Sequence, residues 1–359
     1  MALKVEVVPH ELDFLFEAGT SRGVLKNRKV WYVKVLDEDK PEVIGWGEAG
    51  PLSGLSIDDV PDFELRLQKA IDNLQGKPFL YGYSNVAKLV AEIPEKLPSV
   101  RFGMETALLD LLHGGQKKIF ENDFFANGQP IQINGLVWMG DKDLMMSRLE
   151  EKIEQGFRCI KVKIGAIDFE SEMKLLQAAR SRFSAKELEL RVDANGAFEP
   201  NEAINVLERL KELEVHSIEQ PIKAGEVLKM RSLCATTPVP IALDEELIGY
   251  TTYAEKYWLI KVIQPQYIIL KPSLVGGFAA SKEWIEVADE FGVGWWITSA
   301  LESNIGLNAI SQFASSLNVT LPQGLGTGGL YQNNIASPLT ISGDKLFYDN
   351  SQKWGQVIK

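Results

Sequence analysis

Residues 158–165 read RCIKVKIG, an apolar run of strand length that carries two lysines separated by one valine. Successive side chains on a strand point to opposite faces, so Lys161 and Lys163 share one face while Ile160, Val162 and Ile164 share the other. On a surface strand such a pair would be two solvated lysines. The run LELRVDAN at 188–195 removes that reading, because Arg191, Asp193 and Asn195 also keep a single parity and place charged and polar groups on one face of an otherwise apolar strand.

Outward from these two runs, a rhythm extends from about residue 129. Short apolar runs (IQINGLVWM, RCIKVKIG, LELRVDAN, HSIEQP, PIALDEE, YIILKPS, GWWITSALES and, weakest, LPQGLGT) alternate with amphipathic stretches such as FESEMKLLQAARSRF and NEAINVLERLKEL. Eight such strands in roughly 200 residues suit an α/β fold of the (β/α)8, TIM-like barrel type. Residues 1–50 alternate instead like antiparallel strands (VWYVKVLD, EVIGWGEA), with GWGEAGPLSG at 45–54 read as a loop between elements. SVRFGMETALLDLLHG has a helical pattern, and SPLTISGDKLFYD reads as two short strands around a Gly-Asp turn. The expected division is an α+β capping domain over 1–125, completed by 331–359, and a barrel over 126–330.

The polar residues near the C-terminal ends of successive barrel strands are Lys163, Asp193, Glu219, Asp244, Lys271 and Ser299, spaced by 30, 26, 25, 27 and 28 residues on subtraction of their positions. Each gap is one strand–helix repeat, so these side chains stand at one height on consecutive staves, where barrels of this kind build their active sites. Three carboxylates on three neighbouring strands are expected to converge, and without compensation they would repel one another and lose solvation. A hard divalent cation is the simplest partner. Oxygen-only ligation favours Mg²⁺, with Mn²⁺ as a substitute, over Zn²⁺. Glu245 and Glu246 beside Asp244 leave the ligand register there open by one or two residues.

The remaining composition narrows the class. The chain has 359 residues, 45% hydrophobic content and a formal charge of −11, which disfavours nucleic acid or an anionic membrane as partner but says little about which small molecule binds. His10, His113 and His216 form no ligand-like pair. Two cysteines, Cys159 and Cys234, give no disulfide framework, and MALKVEVVPHELDFLF lacks the apolar core of a signal peptide, so a cytoplasmic enzyme is expected.

In this order and spacing, KVKIG, RVDANGAF, SIEQP, ALDEE, LKPSLVGG and TSALESNIGL resemble the enolase superfamily in its muconate-lactonizing-enzyme-like branch, with GWGEAGPL and RFGMETALLDLL extending the likeness into the first domain. The resemblance implies a modified (β/α)7β barrel under a capping domain and Mg²⁺ held by Asp193, Glu219 and Asp244. It also implies a small-molecule carboxylate as substrate, with Lys163 as the base that removes the proton α to the carboxylate and Lys271 as the lysine on the opposite face. Lys161 is then a tuner of Lys163, and Arg191, Asn195, Ser299, Ser21 and Arg22 are further substrate-binding or tuning positions.

Within the branch, LKPSLVGG is similar to the o-succinylbenzoate synthase family, and TSRGVL is compatible with it. That likeness implies dehydration of 2-succinyl-6-hydroxy-2,4-cyclohexadiene-1-carboxylate through an ene-diolate, a step of menaquinone biosynthesis. N-acylamino-acid racemase and muconate cycloisomerase are the neighbouring readings, and a non-catalytic metal-binding barrel is the remote one. GLGTGGLY departs from the pattern, with Gly326 where relatives place an aspartate; its glycines are read as a loop from Gly324 to Gly329 rather than a phosphate cradle.

Overall fold

Alternating Val, Leu and polar residues near the N-terminus form a three-stranded antiparallel sheet of β1 (Leu3–Thr20), β2 (Gly23–Asp37) and β3 (Lys40–Ala49). The computed structural model describes residues 2–20 and 23–357. Three helices follow: α1 (Phe63–Leu74), α2 (Tyr83–Ala91) and α3 (Pro98–Leu112). Helix α3 is buried on nearly every side, and its two glycine-and-alanine turns let β3 lie directly on it. A Cβ at Gly47 would sit 1.9 Å from the carbonyl oxygen of Gly103. Asp110 of α3 completes the joint by accepting the amides of Trp46 (2.9 Å) and Lys117 (2.5 Å). The GWGEA stretch expected as loop is therefore the end of strand β3, and only the residues after Ala49 leave the sheet.

After α4 (Asp123–Asn127) and the short β4 (Ile131–Gln132), the barrel begins. Its units are β5 (Gly135–Val137) with α5 (Lys142–Glu154), β6 (Cys159–Lys163) with α6 (Phe169–Arg182), and β7 (Glu189–Asp193) with α7 (Pro200–Glu212). Next come β8 (Ser217–Glu219) with α8 (Val227–Thr236), and β9 (Ile241–Leu243) with α9 (Tyr253–Ile263). The last are β10 (Tyr267–Leu270) with α10 (Pro272–Val275) and α11 (Gly277–Glu290), and β11 (Gly294–Ile297) with α12 (Asn304–Ser316). The seven strands pair in parallel in chain order. LPQGLGT supplies the eighth stave only as isolated bridges, Gln323 to Ile133 on one side and Gly324 to Thr298 on the other. The fold is thus a modified TIM-like barrel beside an antiparallel α+β cap.

Two sequence expectations change in detail. IQINGLVWM is not one strand: Ile131–Gln132 pair with β13 (Lys345–Tyr348) of the C-terminal hairpin that it forms with β12 (Leu339–Ser342), Ile133 bridges Gln323, and the ladder breaks at Asn134 before β5. That hairpin turns at the expected Gly343–Asp344. Among the described residues no helix is long and apolar enough to cross a membrane.

Candidate active site

The strand register places Lys161 opposite Arg191, Lys163 opposite Asp193, and Asp193 opposite Glu219. Side chains paired across a parallel ladder share a face, so the lysines of β6 and the carboxylates that end β7 and β8 all point into the barrel. Asp244 follows β9 and Lys271 follows β10, which adds two more ionic groups to the same rim. Strands β6 and β10 are four positions apart in a barrel of eight staves, so Lys163 and Lys271 face each other across its mouth.

The ionic groups are buried and interleaved. Asp193, Glu219 and Asp244 are at most 2% exposed, and Lys161, Lys163 and Lys271 at most 9%. The Lys163 ammonium donates to Asp193 (2.5 Å) and Asn195 (2.8 Å), and Lys161 donates to Glu219 (2.6 Å) and Asp193 (3.2 Å). Lys271 donates to Asp244 and lies 3.8 Å from Glu219. Burial would raise the Asp193 carboxyl, but the ammoniums of Lys163, Lys161 and Lys271 outweigh it and hold that carboxyl below the usual carboxylate range. Burial also opposes charge on Lys161, and Glu219 and Asp193 overcome it to raise its pKa. Asp244 is pushed the other way, upward, first by burial and then by the like charges of Glu245 and Glu219, against the pull of Lys271.

The three carboxylates meet through shared ammoniums: Lys161 bridges Asp193 and Glu219, and Lys271 bonds Asp244 while lying 3.8 Å from Glu219. Among the described residues no three His, Cys, Asp or Glu side chains gather into a cluster that would hold a metal ion as it stands. Lysine ammoniums sit between them and carry the compensation that the sequence argument assigned to a divalent cation. The donor set nevertheless fits a hard cation: three carboxylates on adjacent staves supply only oxygen. Glu219 Oε1 is buried without a hydrogen-bond partner among the described residues, leaving an acceptor that a cation would satisfy.

The neighbouring acids divide clearly. Asn195, in left-handed backbone with φ of 45°, donates to Glu245 (3.0 Å), so Glu245 stays beside the site. Glu246 turns away, accepting from Gln220 (3.2 Å) and the Gly225 amide (3.0 Å). Ser299 lines the cavity and shares a hydrogen bond with Thr327 (2.6 Å), a residue of the glycine-rich eighth-strand segment that the sequence argument did not single out. Arg191 lies one layer lower, paired with Glu189 (2.7 Å) and stacked 4.3 Å from the Trp296 ring centroid, away from the cavity lining. Ser21 and Arg22 lie outside the described residues. The cavity above the rim measures about 1080 Å³, and its outer wall includes Leu25, Leu52 and Trp138. Leu25 and Leu52 fall in the stretches 20–28 and 52–55 that the sequence reading expects to set substrate specificity, whereas Trp138 was missed, because nothing in its local pattern separates a cavity wall from a core.

Residues 144–343 match the family described as enolase C-terminal domain-like. The chain is 44% identical to the o-succinylbenzoate synthase of Desulfotalea psychrophila, over 94% of this chain and 96% of that one. The chain belongs to the enolase superfamily. The crystal structure of MenC from Desulfotalea psychrophila superposes on this enolase-superfamily fold with a TM-score of 0.86 at 38% identity, covering 97% of this chain and all of that one. An N-succinylamino acid racemase from Amycolatopsis is 30% identical over 95% of this chain and 91% of its own.

Proposed function

We propose that this chain is an Mg²⁺-dependent dehydratase that converts 2-succinyl-6-hydroxy-2,4-cyclohexadiene-1-carboxylate to 2-succinylbenzoate. The observation that carries the reading is a pair of buried lysines facing each other across one cavity with three carboxylates on the staves between them. The 44% identity to an o-succinylbenzoate synthase over nearly the whole chain selects the substrate.

Asp193, Glu219 and Asp244 would hold the magnesium in exchange for their ammonium contacts. When bound, it would supply Lewis-acid stabilisation of the charge that builds on the substrate carboxylate. Lys163, as the neutral amine, removes the proton α to that carboxylate, because it stands on the cavity face with Asn195 to hold its Nζ. Lys271, on the opposite face, stays cationic and stabilises the anion. As the C–O bond breaks, Lys163 returns its proton to the departing hydroxide, and water leaves from the same face. One C–H and one C–O bond are lost, one C=C bond is gained, and the product ring is aromatic.

The second reading is racemisation of an N-acylamino acid, supported by the likeness to the Amycolatopsis racemase and by lysines on both faces. A side-by-side assay of cyclohexadiene dehydration and N-succinylamino-acid racemisation, with and without Mg²⁺, tests the choice. Faster dehydration than racemisation is expected, and racemisation without dehydration would reverse the assignment.

A further inference from the structure

Arg28 lies in β2, three residues after the cavity-lining Leu25, and is only 5% exposed. Its Nη1 donates to the carbonyl of Ala300 (2.6 Å) and its Nη2 to the carbonyl of Gly50 (2.7 Å). Gly50 opens the turn that carries Leu52, Ser53 and Gly54 over the cavity from the cap, and Ala300 follows Ser299 on the barrel rim. One planar guanidinium therefore spans the two walls of the same cavity.

The rim side of this contact is held at almost every backbone group. Glu302 accepts the Ala300 amide (2.7 Å) and the Ser273 hydroxyl, which reaches the turn just after Lys271. Tyr331 donates to the carbonyl of Leu301 (2.6 Å), a residue in left-handed backbone with φ of 67°. Glu48 accepts from the amide (2.9 Å) and hydroxyl (2.5 Å) of Ser303 and from the Gly306 amide (3.1 Å) at the start of α12. Glu48 and Glu302 are each 1% exposed and are the carboxylates whose charge Arg28 balances. Glu48, in β3 of the cap, ties the end of that strand to the start of α12, and the fixed fork of Arg28 adds the tie between the turn that follows β3 and Ala300 on the rim.

We propose that Arg28 is a positioning residue whose guanidinium fixes the spacing between the Gly50–Gly54 turn and the Ser299–Leu301 rim, and thereby selects the length of carboxylate substrate that the cavity accepts. The inference rests on the proposed dehydratase reading only for the choice of substrate. Lysine at this position keeps the charge opposite Glu48 and Glu302 but is a single point donor on a flexible stem, so it cannot hold both carbonyls at a set separation.

The test uses the full chain with Mg²⁺ and compares wild type, Arg28→Lys and Arg28→Ala on the cyclohexadiene dicarboxylate and on an N-succinylamino acid. Arg28→Lys is expected to raise KM for the substrate turned over by wild type about tenfold, with kcat held within about threefold, because uniform binding is lost while the lysine–carboxylate rim is intact. Millimolar guanidinium should lower the KM of Arg28→Ala and leave wild type and Arg28→Lys unchanged. An unchanged KM in Arg28→Lys, or a loss confined to kcat, overturns the proposal. If Arg28→Ala does not fold, the KM of Arg28→Lys decides alone. If wild type racemises but does not dehydrate, the functional reading fails and the same KM comparison is made on the racemase substrate. If neither substrate reacts, hydrogen exchange at the Leu52–Leu55 amides of Arg28→Lys decides: faster exchange supports the strut, and unchanged protection refutes it.

Discussion

Glutamine at position 172 would remove a proton that burial places in the loop following Lys163. Glu172 of α6 is 1% exposed, and its Oε1 accepts the amides of Gly165 (2.7 Å), Ala166 (3.2 Å) and Ile167 (3.4 Å). Burial pushes its carboxyl up to about 7 despite those donors, from an ordinary 4.5. Between these two values the native chain keeps a proton that the unfolded chain has released. The stability from this group is therefore fully present below pH 4.5 and is lost as pH rises through 7. At about 1.4 kcal/mol per pH unit the loss approaches roughly 3 kcal/mol. Glu172→Gln keeps the accepting oxygen but cannot titrate, and its amide nitrogen replaces an Oε2 that has no hydrogen-bond partner among the described residues. That unpartnered donor is a fixed cost of about 1–3 kcal/mol at every pH, so the diagnostic quantity is the slope. Urea unfolding of both proteins from pH 4.5 to 7.5 should show the variant gaining about 2–3 kcal/mol on wild type. Parallel pH profiles would refute the buried-proton argument.

Gly47→Ala drives a methyl into the Gly103 carbonyl, where the present separation to a Cβ would be 1.9 Å, and should destabilise by about 3 kcal/mol or more in thermal unfolding. Mg²⁺ should raise the melting temperature of wild type, equivalent to about 2.7 kcal/mol at a hundredfold excess over Kd, and Glu219→Ala should abolish the shift while remaining folded. In Lys271→Arg the retained cation should preserve more dehydration than racemisation, because arginine cannot act as the second acid–base group; equal losses measured in D₂O would favour a two-base mechanism.

The barrel was legible because its signals are local and repeated. KVK and RVD each show their parity within five residues, and the 25- to 30-residue gaps put Lys163, Asp193, Glu219, Asp244 and Lys271 on one rim before any contact is known. The eighth stave was faint because Pro322, Gly324 and Gly326 cannot sustain a ladder, so closure rests on Gln323 and two bridges. The charge balance of the rim was not legible at all: parity says that lysines and carboxylates share a face, but not that the Lys161 and Lys271 ammoniums lie between the acids. Arg28 closes the 20–28 stretch expected to shape specificity, but its bridging role was hidden, since its partner Ala300 lies 272 residues away in sequence and a lone arginine on a strand carries no local sign of burial.

The central claim, that Lys163 is the base of a dehydration carried out between two facing lysines, is tested most directly by Lys163→Ala. With the variant shown to be folded and to bind Mg²⁺ like wild type, no detectable 2-succinylbenzoate should form from the cyclohexadiene substrate, and its α-proton should not exchange with D₂O. Aromatic product formed at more than about a hundredth of the wild-type rate, above the range expected once a general base is removed, would contradict that claim.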